Sequence, residues 1–129
     1  MIKGSSPIGE LSFDPSTGIL HIVVNQDAEM TLTNAREHYN IIKKVVGNKK
    51  YVALVDAGNF YSIDAEAWKY ASQKEIVGNR IATANYNVAL PNKLVSKFFK
   101  EKYNTAAPFK IFSTYEEALV WLKTFDMNS

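Results

Sequence analysis

The chain has 129 residues, 47% of them hydrophobic and 22% charged, with a net charge of +2. These values fit one globular domain and exclude the strongly basic footprint of a nucleic-acid-binding protein. Cysteine is absent, which excludes disulfides, thiolate metal sites and cysteine catalysis.

No run approaches the ~18 apolar residues of a membrane-spanning helix. The opening segment MIKGSSPIGE lacks the apolar core of a signal peptide, so a cytoplasmic setting without membrane insertion is expected. Residues 1–8 are expected to form a loosely ordered start to a single domain spanning 1–129.

Glu10 to Phe13 and Ile19 to Val24 read as strands, joined into a hairpin by the turn Asp14-Pro15-Ser16-Thr17-Gly18. Thr31 and Thr33 are candidate N-caps of a helix that runs to about Val46. Ala35, Tyr39, Ile42 and Val46 form its buried stripe. Gly47 ends it, because glycine accepts a left-handed cap without a Cβ clash. Tyr51 to Val55 is nearly continuously apolar, the pattern of a strand covered on both faces. The next helix opens at Asp64, turns Ala67, Trp68 and Ala71 inward, and stops at Val77-Gly78-Asn79. Ile81 to Leu90 reads as a strand, and Asn92 caps a helix reaching Tyr103 with Leu94, Val95, Phe98 and Phe99 inside. Phe109 to Phe112 is the last strand. Ser113 and Glu116 fit a capping box for a final helix with Ala118, Leu119, Leu122 and Phe125 inward.

The order β-β-α-β-α-β-α-β-α predicts an α/β fold. Strand–helix–strand repeats demand right-handed crossovers and parallel neighbours. The expectation is a mixed five-stranded sheet with helices packed on it, in which only the first strand is antiparallel to its neighbour.

In such sheets ligands and partners dock in loops past the C-terminal ends of strands. That places the functional region in YVALVDAGNFYSIDAE, residues 51–66. The element order and these motifs resemble the STAS domain, the fold of bacterial anti-sigma-factor antagonists. Its signature, a strand ending in Asp and then an Ile-Asp-Ser-Ser-Gly helix start, is matched here by Val55-Asp56 and Ile63-Asp64-Ala65-Glu66-Ala67. A set of small uncharacterised bacterial STAS-like proteins is more similar still. They share patterns matched by Leu54-Val55-Asp56, by Ser62-Ile63-Asp64-Ala65-Glu66-Ala67, and by Phe112-Ser113-Thr114-Tyr115-Glu116-Glu117-Ala118-Leu119-Val120-Trp121-Leu122. The antagonists are switched by phosphorylation of the second serine of that helix start. Glu66 stands there in this chain and cannot be phosphorylated. It is either a permanent phosphate mimic or a charge that complements the helix dipole.

The candidate partner-binding or switch region is therefore Asp56, Asn59, Phe60, Tyr61, Ser62, Asp64 and Glu66. Asp56 and Asp64 also have structural readings, as a loop tether and a helix cap. A receiver-type phosphoacceptor reading of Asp56 fails, because the preceding strand, ending Val23-Val24-Asn25-Gln26-Asp27, offers only Asp27 toward Mg²⁺. His21 and His38 show no triad or metal spacing and read as half-buried, hydrogen-bonded side chains. Lys93, Lys97 and Lys100 share a helix face that reads as solvated. No phosphate loop occurs.

No catalytic residues, metal or cofactor are expected. The first functional reading is a non-enzymatic regulatory module that works by contact with a protein partner. Self-association into a homodimer is a further expectation, through the hairpin edge at Glu10 to Phe13 or the Phe60-Tyr61 loop. The alternative is a small-molecule or lipid-binding domain, with an apolar ligand held between helices and sheet by residues such as Phe60, Trp68, Phe98 and Phe99.

Overall fold

The computed structural model describes residues 1–59, 61–90, 92–94, 97 and 106–126. The elements in chain order are β1 (Ile2–Ser5), β2 (Gly9–Asp14), β3 (Ile19–Val24), β4 (Ala28–Met30), α1 (Leu32–Val46), β5 (Tyr51–Asp56), β6 (Tyr61–Ile63), α2 (Ala65–Ala71), α3 (Lys74–Val77), β7 (Arg80–Tyr86), β8 (Phe109–Phe112) and α4 (Tyr115–Leu122). The helix expected from Asn92 to Tyr103 falls mostly outside the described residues.

The main sheet has six strands in the order β1-β2-β3-β5-β7-β8, where five were expected. The extra strand is β1. It pairs antiparallel with β2 and takes up residues expected to be loosely ordered. The β2–β3 pair is also antiparallel, so two pairings of that sense precede the parallel block of β3, β5, β7 and β8. Residues Glu10 to Phe13 are consequently internal, and β1 is the edge. A second, two-stranded parallel sheet joins β4 to β6.

Alternation along β5 divides the core. Tyr51 and Ala53 pack with Leu11, Phe13, Leu20 and Ile22 against Ile42, Val45 and Val46 of α1. Val52 and Leu54 face the other way and pack with Ala82 and Ala84 against Ala118 and Leu122 of α4. This strand is covered on both faces, as its apolar run predicts.

Local chemistry sets the element ends. Thr31 caps α1, its hydroxyl accepting from Asn34 N at 3.1 Å. Both Gly47 and Gly78 have positive φ, 64° and 59°, as expected. Their ψ values of −134° and −122° lie outside the left-handed helical region, in territory that only glycine occupies readily. The single helix expected from Asp64 to Val77 is broken. Ser72 Oγ donates to the Trp68 carbonyl at 2.8 Å, and Gln73 turns extended before α3 begins. Strand β7 ends at Tyr86 instead of running to Leu90, because Asn87 adopts φ 56°, which ends extended pairing. The last helix is capped one residue later than expected. Thr114 Oγ1, not Ser113, accepts from Glu117 N at 3.2 Å and donates to the Glu117 carboxylate at 3.0 Å.

Candidate functional site

The loop from Asp56 to Asp64 leaves the C-terminal end of β5 and is held from several sides. Asp56 Oδ1 accepts from Gly58 N at 3.0 Å and from Asn87 Nδ2 at 3.4 Å. Asn59 Nδ2 reaches back to the Val24 carbonyl at 2.9 Å. The amide of buried Asn92 supplies the central tie. It donates to the Asn59 carbonyl at 2.9 Å and to the Ala57 carbonyl at 3.5 Å, and it accepts from Tyr61 N at 3.5 Å. Asn92 was expected only as a helix cap. Its role in the loop depends on a contact between distant parts of the chain, which no local pattern signals.

Gly58, Asn59, Ser62, Asp64, Ala65 and Glu66 are exposed along this loop and the first turn of α2. Tyr61 is half-buried. Asp64 occupies the N-cap position of α2, but its carboxylate makes no cap bond. Its backbone does the work instead, with N donating to the Met30 carbonyl at 3.1 Å and O accepting from Trp68 N at 3.0 Å. The structure thus brings Asp56, Asn59, Tyr61, Ser62, Asp64 and Glu66 along one loop and helix start. Phe60 lies outside the described residues.

Beside Asp56 sits a polar cluster that sequence spacing did not link. His21 Nε2 lies 2.7 Å from the Tyr86 hydroxyl, and the two rings stack at a centroid distance of 6.0 Å. Burial lowers the His21 pKa, partly opposed by the Asp56 charge. Burial and then Asp56 push the Tyr86 hydroxyl up to about 12. Burial thus favours the neutral forms of both His21 and Tyr86 near neutral pH. Among the described residues, no group of three or more His, Asp or Glu side chains is placed to hold a metal ion.

On the α1–α2 side of the sheet lies a cavity of about 130 Å³. Its walls include Ile22, Val24, Val55, Ile63, Trp68 and Phe109, with His38, Arg80 and Asn85 as polar members. Trp68 was expected here; Phe98 and Phe99, named with it, lie outside the described residues. His38 is 3% exposed, more buried than expected. Its Nδ1 lies 2.7 Å from Ser6 Oγ, which also accepts from Ile8 N and Gly9 N. Ser6 Oγ also lies 3.4 Å from the Gly9 carbonyl, so its hydroxyl ties His38 to the turn between β1 and β2. Burial, reinforced by the Arg80 charge, lowers the His38 pKa to about 3.

The family model described as a domain of unknown function, DUF7793, matches residues 13–126. The chain belongs to that family. No curated protein matches this DUF7793 member. Among solved structures it is similar to an uncharacterized protein of the DUF3478 family with a SpoIIAA-like fold, from Shewanella loihica PV-4. The two share 18% identity with a TM-score of 0.59, over 95% of this chain and 96% of that one. The DUF7793 chain therefore has a SpoIIAA-like, STAS-like fold. Among the described residues, no helix is long and apolar enough to cross a membrane.

Proposed function

We propose that this protein is a non-enzymatic, cytoplasmic STAS-like module that binds a protein partner through residues 56–66. The observation that carries the reading is the pinned loop. Exposed Asn59 stands on a backbone tied by the Asn92 amide, and exposed Ser62, Asp64 and Glu66 follow where β6 pairs with β4 and α2 begins. A surface ordered before binding loses less entropy on association, which favours recognition. Glu66 supplies a fixed negative charge in the first turn of α2, where the related antagonists carry a switchable one.

The test is affinity capture from the source cells with matched variants. Ser62→Arg combined with Glu66→Arg is expected to lose the partner, while Lys123→Glu after α4 keeps it. Retention by both variants would overturn the proposal. Glu66→Ser separates the two roles of that carboxylate. A stability loss of no more than about 1 kcal/mol with unchanged binding assigns it to the helix dipole. A large affinity change at constant stability assigns it to the partner.

A second reading, a small-molecule-binding domain, rests on a different observation. The cavity between α1, α2 and the sheet is mostly apolar with a few polar groups, the usual composition of a ligand site.

A further inference from the structure

Among the described residues, the cavity lining carries a cation and no anion. Arg80 opens β7 and lines the cavity floor. Its guanidinium lies 5.4 Å from the ring centroids of both Tyr39 and Tyr51. Nε donates to the Tyr51 hydroxyl at 3.2 Å and Nη1 to the Thr83 hydroxyl at 3.3 Å. These contacts explain how the charge is tolerated but leave one nitrogen over. The Tyr39 hydroxyl also interacts with the guanidinium, yet buried Nη2 has no acceptor in hydrogen-bond geometry among the described residues. Neither Asp nor Glu is among the described residues lining the cavity. Among the described lining residues, the only other group able to carry a positive charge, His38, is neutral near pH 7. Arginine keeps its proton throughout the accessible pH range, so the charge cannot be relieved by titration.

Close by in the sheet, Asn85 Oδ1 is likewise buried with no donor among the described residues. A buried donor or acceptor without a partner costs free energy, more so when charged. Two such atoms line one largely apolar cavity, a cationic donor and an amide acceptor able to receive a polar ligand.

We infer that the cavity binds a small hydrophobic monocarboxylate, its carboxylate on Arg80 Nη2, its body against Val24, Val55, Ile63 and Phe109, and a hydroxyl or N–H group on Asn85. This deepens the small-molecule reading above and rests on it. A carboxylate fits better than a phosphoryl group because two of the guanidinium's three nitrogens are already engaged. A single remaining cationic donor matches one negative charge. Size sets the other limit. The cavity, about 130 Å³, is close to the ~150 Å³ apolar cavity that accepts benzene. One ring, or a short branched chain, fills it; a long acyl chain does not fit within it.

The experiment is isothermal titration of the whole chain with 3-hydroxy-3-methylbutyrate, a short branched chain of the size the cavity holds, and with its neutral amide, 3-hydroxy-3-methylbutyramide. The carboxylate is expected to bind saturably, at least about tenfold more tightly than the amide, the usual worth of a hydrogen bond to a charged group. Arg80→Met should abolish that preference. Because Arg80 also stacks on Tyr39 and Tyr51, a second variant spares it. Ala71→Phe fills the cavity from α2 and should remove binding while circular dichroism and Arg80 stay unchanged. Equal affinity for acid and amide would overturn the carboxylate assignment and leave the small-molecule reading standing. No saturable binding of either probe up to millimolar concentration would overturn both. Tight binding of the acid that survives Ala71→Phe would place the site elsewhere and overturn the assignment to this cavity.

Discussion

At the scale of single residues, His38 carries the clearest energetic consequence. Its pKa falls from 6.5 to about 3 on folding, so the unfolded chain binds a proton between these values and the native state does not. Stability therefore rises with pH across this window and is lost as pH falls from about 6.5 toward 3. The slope from this group approaches about 1.4 kcal/mol per pH unit. Urea unfolding at pH 7 and pH 5 should show His38→Gln losing about 2 kcal/mol less than the wild type between the two conditions. His21, whose pKa is also lowered, acts in the same direction in both proteins and cancels in the difference. The sequence showed that neither histidine had catalytic or metal-binding spacing. It did not show the depth of His38, because the residue that satisfies it, Ser6, lies 32 positions away.

At the scale of elements, boundaries set by short-range chemistry were legible and those set by partners were not. The Gly47 and Gly78 stops were readable because a positive φ calls for glycine whatever surrounds it. A Cβ on Gly47 would meet nothing within 4 Å, so the cost of Gly47→Ala is purely conformational. Thermal unfolding is expected to report about 1–3 kcal/mol of destabilisation. Gly9 differs, since its Cβ would collide with the Val23 carbonyl across the β2–β3 pair. Strand β1 escaped notice because Ile2-Lys3-Gly4-Ser5 has no apolar alternation; as an edge strand it pairs on one side only. The three-residue strands β4 and β6 are too short for a period to show. Asn92→Ala should cost about 1–3 kcal/mol, since it removes the amide's bonds to Ala57, Asn59 and Tyr61. Hydrogen exchange should then quicken across residues 57–61 while the β5 amides stay protected. Unchanged exchange there would show that the loop is held by other means.

At the scale of the whole molecule, β5 is the shared wall between two cores, and its two faces were legible from a continuous apolar run. Leu54 is 1% exposed on the α4 side, and Leu54→Ala should lose about 2–5 kcal/mol in denaturant unfolding. Leu90→Ala, at a side chain 67% exposed, should stay within about 0.5 kcal/mol. The parallel sense of β3, β5, β7 and β8 also followed from the sequence, since strand–helix–strand repeats demand parallel neighbours. The placement of Arg80 in a cavity could not be read, because it needs α1, α2 and β7 assembled around it. Self-association, if it uses a strand edge, would involve β1, not β2, and light scattering on Ile2→Pro against wild type would reveal it.

The Asn92 tie also has a bearing on the order in which the protein is built. Its bond to the Asn59 carbonyl spans 33 residues, whereas the turn between β2 and β3 closes over a few. Closing a long loop costs chain entropy before any contact repays it. The hairpin can thus organise while the chain is still emerging from the ribosome, but the loop at 57–61 gains its full set of ties only after residue 92 has arrived. A nascent chain halted near residue 90 would already carry every side chain from Asp56 to Glu66 yet lack the clasp that presents them. Recognition through that loop would therefore be withheld until synthesis had passed it.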